Sequence, residues 1–90
     1  MWEIVYSSRF KKDLKKYQHQ TKKIAALKEI LLDLRETGKV KAKFRPHMLA
    51  GDYKGCMECH IESDFLLIWF DESDQTIALV RLGTHSELFK

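Results

Sequence analysis

Proline occurs once in this 90-residue chain, at Pro46, and its four glycines are scattered. That scarcity leaves no low-complexity segment, no flexible linker and no glycine-rich loop of the kind that cradles a nucleotide phosphate. Cysteine is limited to Cys56 and Cys59, too few for a disulfide framework, so a reduced, cytoplasmic protein is the default. No apolar run approaches the roughly 18 residues that span a bilayer, so no membrane partner is expected. The opening MWEIVYSSRF lacks the basic and apolar regions of a signal peptide. No serine sits in a nucleophile-elbow pattern, and no internal repeat is visible. What is present is enough apolar side chain, 44% of the residues, for one core, and residues 1–90 are read as a single domain.

Charge is present but unevenly spread. From Arg9 to Lys54 there are 14 Lys/Arg against 5 Asp/Glu; from Gly55 to Lys90 there are 2 against 7. A basic half on a small domain points to a polyanion such as nucleic acid, or more simply to a solvated helix face. Lys11, Lys12, Lys15, Lys16 and Lys54 are the candidate RNA-backbone contacts.

The pattern predicts an α+β fold. WEIVYS (Trp2–Ser7) is rich in strand formers. Ser7 or Ser8 offers a cap for a helix with Phe10, Leu14 and Tyr17 on one face. Thr21 is read as the cap of a second helix, striped by Ile24, Leu27, Ile30, Leu31 and Leu34 and stopped at Gly38. A basic loop follows, then strands at about 56–62, 65–71 and 76–82, joined by turns too short for anything but antiparallel pairing. The expected architecture is a strand, a two-helix hairpin and an antiparallel meander, with the helices on one face of the sheet. Alternation puts Met57, Cys59 and Ile61 towards the helices and Glu58, His60 and Glu62 away from them. It puts Ala78, Val80 and Leu82 on the helix side and Ile77, Leu79 and Arg81 opposite, so His60 and Arg81 share a cleft without helix cover.

CMECH looks like part of a zinc site, but no second cysteine pair exists and alternation separates Cys56 from Cys59. Two ordinary thiols are favoured, and neither metal nor cofactor is expected. His19 lies in the polar interhelical link and reads as solvated. His47, His60 and His85 lie on segments able to converge, with Asp64 and Arg81 nearby. Histidine can act as general acid or base near neutrality, and arginine can hold charge developing on a phosphate. Such a set suits RNA cleavage by its own 2′-hydroxyl, a reaction that needs no metal.

These residues resemble the YafQ branch of the RelE/ParE superfamily of bacterial type II toxins. The resemblance runs in order over nearly the whole chain and is densest in HMLAGDYKGCMECHIESDFLLIWF and RLGTHSELF. It implies a RelE-like fold and a ribosome-dependent endoribonuclease that cuts mRNA in the A site. It implies as partners the 70S ribosome, mRNA and a DinJ-like antitoxin, with operator DNA contacted only through the antitoxin complex. By position, His47, His60, Asp64 and His85 fall where that family keeps its acid/base groups, His85 as general acid and His60 and Asp64 as base or base-orienting pair. Arg81 would stabilise the phosphate in the transition state and Phe89 would stack on an mRNA base. Two positions depart from the pattern: Phe65 stands where the family has tryptophan, and Ser63 where it has proline. A ParE-like gyrase inhibitor, or an RNA-binding module with idle histidines, are the alternatives. THSE fits a capping box with Thr84 and Glu87, which gives the end of the chain a local reason for order and leaves only Lys90 as a loose end.

Overall fold

The computed structural model describes residues 1–89; Lys90, expected to be loose, lies outside them. Strand β1 (Glu3–Tyr6) leads into α1 (Ser8–Tyr17) and α2 (Thr21–Thr37). A short β2 (His47–Met48) follows, between two single 3-10 turns, and then β3 (Met57–Glu62), β4 (Phe65–Glu72), β5 (Thr76–Gly83) and a one-turn α3 (His85–Leu88). The sheet order is β1-β5-β4-β3-β2. The β2–β5 pairings are antiparallel, but β1 joins β5 in parallel, so the sheet is mixed. Parallel neighbours need a long crossover, and everything from α1 to β4 supplies one.

Local chemistry explains the helix ends. Ser7 is the cap of α1: its hydroxyl accepts from the Phe10 N–H at 3.0 Å. Thr21 does not cap α2; Gln20 does, without a side-chain bond. The Gln20 N–H closes a turn on the Tyr17 carbonyl at 2.9 Å, so the helix has already begun at Thr21. Gly38 ends α2 in the left-handed region (φ 74°) and donates to the Leu34 carbonyl at 2.9 Å. A Cβ there would also lie 2.5 Å from the Trp2 ring.

The main core lies between the helices and the sheet, with Phe10, Tyr17, Leu27, Ile30 and Leu34 packed on Cys59, Ile61, Phe65, Leu67 and Trp69. Ile77, Leu79 and Leu82 join them, whereas Val80 packs on the far side. The alternation expected for Ile77, Ala78, Leu79 and Val80 is therefore inverted. A register shift opposite Ile68/Trp69 inserts Val80 as an extra residue, and this bulge restores Leu82 to the core and Arg81 to the far face. A second bulge, between His60 and Glu62, turns Glu62 back to the helix layer, where it pairs with Lys23 at 2.9 Å.

The far face is also less open than expected. Leu66 and Ile68 of β4 are buried there under Leu49, Tyr53, Cys56, Leu88 and Phe89. The FLLIWF run is apolar at consecutive positions because β4 is covered on both faces.

Candidate active site

The far face is ordered by strand register. Residues paired across antiparallel strands project to the same side, and His47, Glu58, Ile68 and Arg81 form one row from β2 to β5. His60, Leu66 and Gly83 form the next. With strands about 4.8 Å apart, β3 and β5 lie about 10 Å from each other, with Leu66 and Ile68 as the floor between them.

On the β3 side, one Glu58 carboxylate oxygen lies 3.1 Å from His47 Nε2 and 3.7 Å from His60 Nε2. Both are separations at which a protonated ring pairs with the carboxylate. The two imidazole rings are 6.1 Å apart. His47 Nδ1 is held by the Arg45 carbonyl at 3.0 Å, which the left-handed backbone of Arg45 (φ 53°) aims back at the ring. Glu58 is 4% exposed, and its second oxygen, Oε2, has no hydrogen-bond partner. A buried carboxylate oxygen without a partner is costly, and such groups collect at functional sites. Sequence reading missed Glu58, although its spacing of two from His60 on one strand face was the available signal.

On the β5 side, the β3–β4 turn presents Asp64, whose carboxylate accepts from the His85 backbone N–H at 2.9 Å. The His85 ring lies 4.8 Å from that of Phe89, tilted by 34°. The capping box is formed: Glu87 N–H donates to the Thr84 hydroxyl at 3.3 Å, and Thr84 N–H donates to the Glu87 carboxylate at 2.8 Å. Glu87 also accepts from Tyr17 Oη and pairs with Lys16 Nζ, both on α1. The Lys16 ammonium, then the Thr84 N–H and the Tyr17 hydroxyl, hold the Glu87 carboxyl down to about 2. Burial, then the bond to Glu87, pushes Tyr17 up to about 12.

Arg81 lies between these groups. Its Nε and Nη2 donate to the two oxygens of Asp13 on α1 at 2.8 and 3.2 Å, and its Nη1 donates to Tyr53 Oη at 3.4 Å. The hydrogen bonds that Arg81 donates to Asp13 raise its pKa further, so the guanidinium stays cationic. Asp13 also accepts the Leu82 N–H at 2.9 Å. Tyr53 in turn donates to the Leu88 carbonyl at 3.1 Å and meets Phe89 edge-on at 5.4 Å.

The structure thus brings His47 together with His60, and Asp64 with His85 and Phe89, while Tyr53 ties Arg81 to the second set. Among the described residues no hydrogen bond joins the two histidine groups directly. Asp13 and Tyr53 were not anticipated. Lys11, Lys12, Lys15, Lys16 and Lys54 are all exposed, and the Lys16 ammonium also pairs with Glu87. Cys59 is in the main core and Cys56 packs on the far face. Burial pushes the Cys59 thiol up to about 12, which disfavours the reactive thiolate. The chemical content is a His47–His60 pair on one side and the single His85 imidazole on the other, with one fixed cation between them.

Comparison with known proteins agrees over the full length. The family model for the YafQ bacterial toxin of type II toxin–antitoxin systems matches residues 2–90. The mRNA interferase toxin YafQ of Escherichia coli K12 is 34% identical over 97% of this chain and 95% of its own. The E. coli DinJ–YafQ complex contains a chain 33% identical, covering 100% of both chains, with a TM-score of 0.84. A metal-bound toxin from Helicobacter pylori is 36% identical, covers 99% of this chain and 100% of its own, and superposes with a TM-score of 0.86.

Proposed function

The chain belongs to the YafQ family of bacterial type II toxins, and we propose that it is an endoribonuclease that cuts mRNA in the ribosomal A site and is held inactive by a DinJ-like antitoxin. The observation that carries this reading is that one face of the sheet gathers His47 and His60 about Glu58, His85 held by Asp64, and the Arg81 cation.

In the proposed reaction His60 takes the proton of the 2′-hydroxyl. Its ring makes no hydrogen bond among the described residues, and Glu58, shared with His47, lies 3.7 Å from its Nε2. Asp64 already accepts the His85 N–H, which fits it for orienting α3 rather than for abstracting a proton. The 2′-oxygen attacks the adjacent phosphorus, and the Arg81 guanidinium stabilises the charge on the non-bridging oxygens. His85 protonates the departing 5′-oxygen, leaving a 2′,3′-cyclic phosphate and a 5′-hydroxyl. Phe89, stacked beside His85, offers a face to an unpaired base. General acid–base groups typically contribute about 10²–10⁴-fold each, so the constellation alone is weak and gains from a ribosome that aligns the message.

The test is His85→Ala. Cleavage of translated mRNA, mapped by its 5′ ends after induction, is expected to fall by about 10²–10⁴-fold, while binding to the antitoxin is retained. Unchanged cleavage would remove His85 from the acid role. Intact messages together with broken DNA after induction of the wild-type chain would replace the reading with gyrase inhibition. Rapid site-specific cutting of naked RNA would remove the ribosome from it.

A further inference from the structure

We propose that Tyr17 is a positioning residue, whose hydroxyl acts through Glu87 to set the orientation of His85 and Phe89; helix α1 is then a working part of the catalytic apparatus. The inference rests on the role given above to His85 and Phe89.

Helix α3 has four residues, far too few to be stable by itself. Its capping box satisfies backbone donors but does not fix the direction in which the turn points from the sheet. That direction needs an anchor outside the turn, and Glu87 has one. One carboxylate oxygen takes both the Thr84 N–H and the Tyr17 hydroxyl, and the other meets Lys16. Tyr17 is 6% exposed and its ring packs on Phe65, with centroids 4.8 Å apart. The hydroxyl therefore stands at a fixed point above the core. Lys16, with a side chain 64% exposed, is the mobile member of the pair.

Gly83 is shaped to the same contact. A Cβ at that position would lie 2.7 Å from the Glu87 oxygen that takes both donors. The carboxylate thus occupies the space where a side chain would otherwise be. Leu88 is buried in the far-face cluster, and Phe89 packs on that cluster beside the His85 ring. Asp13, one turn before Tyr17, holds Arg81. Residues 13, 16 and 17 share one helical stripe, so α1 holds the arginine and α3 from a single rigid surface.

The test uses the whole chain and Tyr17→Phe, which keeps the ring on Phe65 and removes only the hydroxyl. Nuclear Overhauser contacts between the His85 and Phe89 rings are expected to weaken. On programmed ribosomes kcat is expected to fall about 10- to 100-fold, as small misplacements do, with KM within about twofold. Glu87→Gln keeps the carbonyl acceptor and is expected to retain most of the rate; Glu87→Ala is expected to lose as much as Tyr17→Phe. The double variant Tyr17→Phe/Glu87→Ala is expected to be no worse than Glu87→Ala alone, because both act through one contact. Gly83→Ala, which displaces the carboxylate without touching Tyr17, is expected to give the same kinetic signature. Wild-type ring contacts and kcat in Tyr17→Phe, or additive losses in the double variant, would overturn the proposal. If the wild-type chain does not cut mRNA on ribosomes, the catalytic reading fails while the ring contacts still judge the positioning.

Discussion

Glu87 shows how one carboxylate can join local and long-range structure. Its pKa is lowered from 4.5 to about 2, first by Lys16. A lowered carboxyl pKa means that the ionised form is favoured in the folded state. The stabilisation it brings is complete above pH 4.5 and is lost as pH falls through about 2. A carbon-detected carboxylate titration should place Glu87 near 2. Lys16→Ala should move the midpoint upward. Glu58 makes the complementary case: its buried oxygen without a partner has no evident structural use. Glu58→Ala should lower cleavage at least tenfold by freeing His47 and His60, with little change in melting temperature.

At the level of elements, Ser7 and the β5 bulge matter most. The Ser7 hydroxyl accepts from Phe10 N–H and donates to the Val80 carbonyl at 3.1 Å. It thus starts α1 and ties it to the bulge that sends Arg81 to the far face. Ser7→Ala should cost about 1 kcal/mol, seen as a fall of about 4–8 °C in the melting temperature. The helices, their apolar stripes and the Gly38 stop were legible because helical period and capping are local. The parity of β5 was not, because a bulge leaves no mark in the apolar pattern: TIALVRL alternates equally well in either phase. His60 and Arg81 were correctly assigned to one face, although the phase assumed for residues 77–80 was inverted. The FLLIWF run could have warned that the far face was partly covered.

Across the whole molecule, the basic first half supplies α1 and α2, and the acidic second half supplies most of the sheet and α3. Lys11, Lys12 and Lys15 remain exposed on α1, while Lys16 and Asp13 of the same helix face the site. Helix α1 therefore presents a cationic outer surface and an inner surface that holds Arg81 and Glu87. Substituting Lys11, Lys12 and Lys15 together by glutamate should weaken ribosome association. It should flatten the dependence of log affinity on log salt by about two to three, at roughly 0.7–0.9 for each phosphate no longer neutralised. The same variant should leave the His85–Phe89 ring pair intact. No helix is long and apolar enough to cross a membrane among the described residues.

Period and capping residues were enough to define two amphipathic helices, an antiparallel meander and an ordered final turn. Each depends on interactions within a few residues, and the side chains carry that information directly. Which histidines meet was decided only in three dimensions. Glu58 reaches His47 through strand pairing, Asp64 reaches His85 across 21 residues, and Asp13 and Tyr17 reach Arg81 and Glu87 across about 70. Those distances along the chain are closed by a parallel β1 and by one extra residue in β5. Both are consequences of packing the whole sheet against the helices, and neither is written in any local stretch of residues.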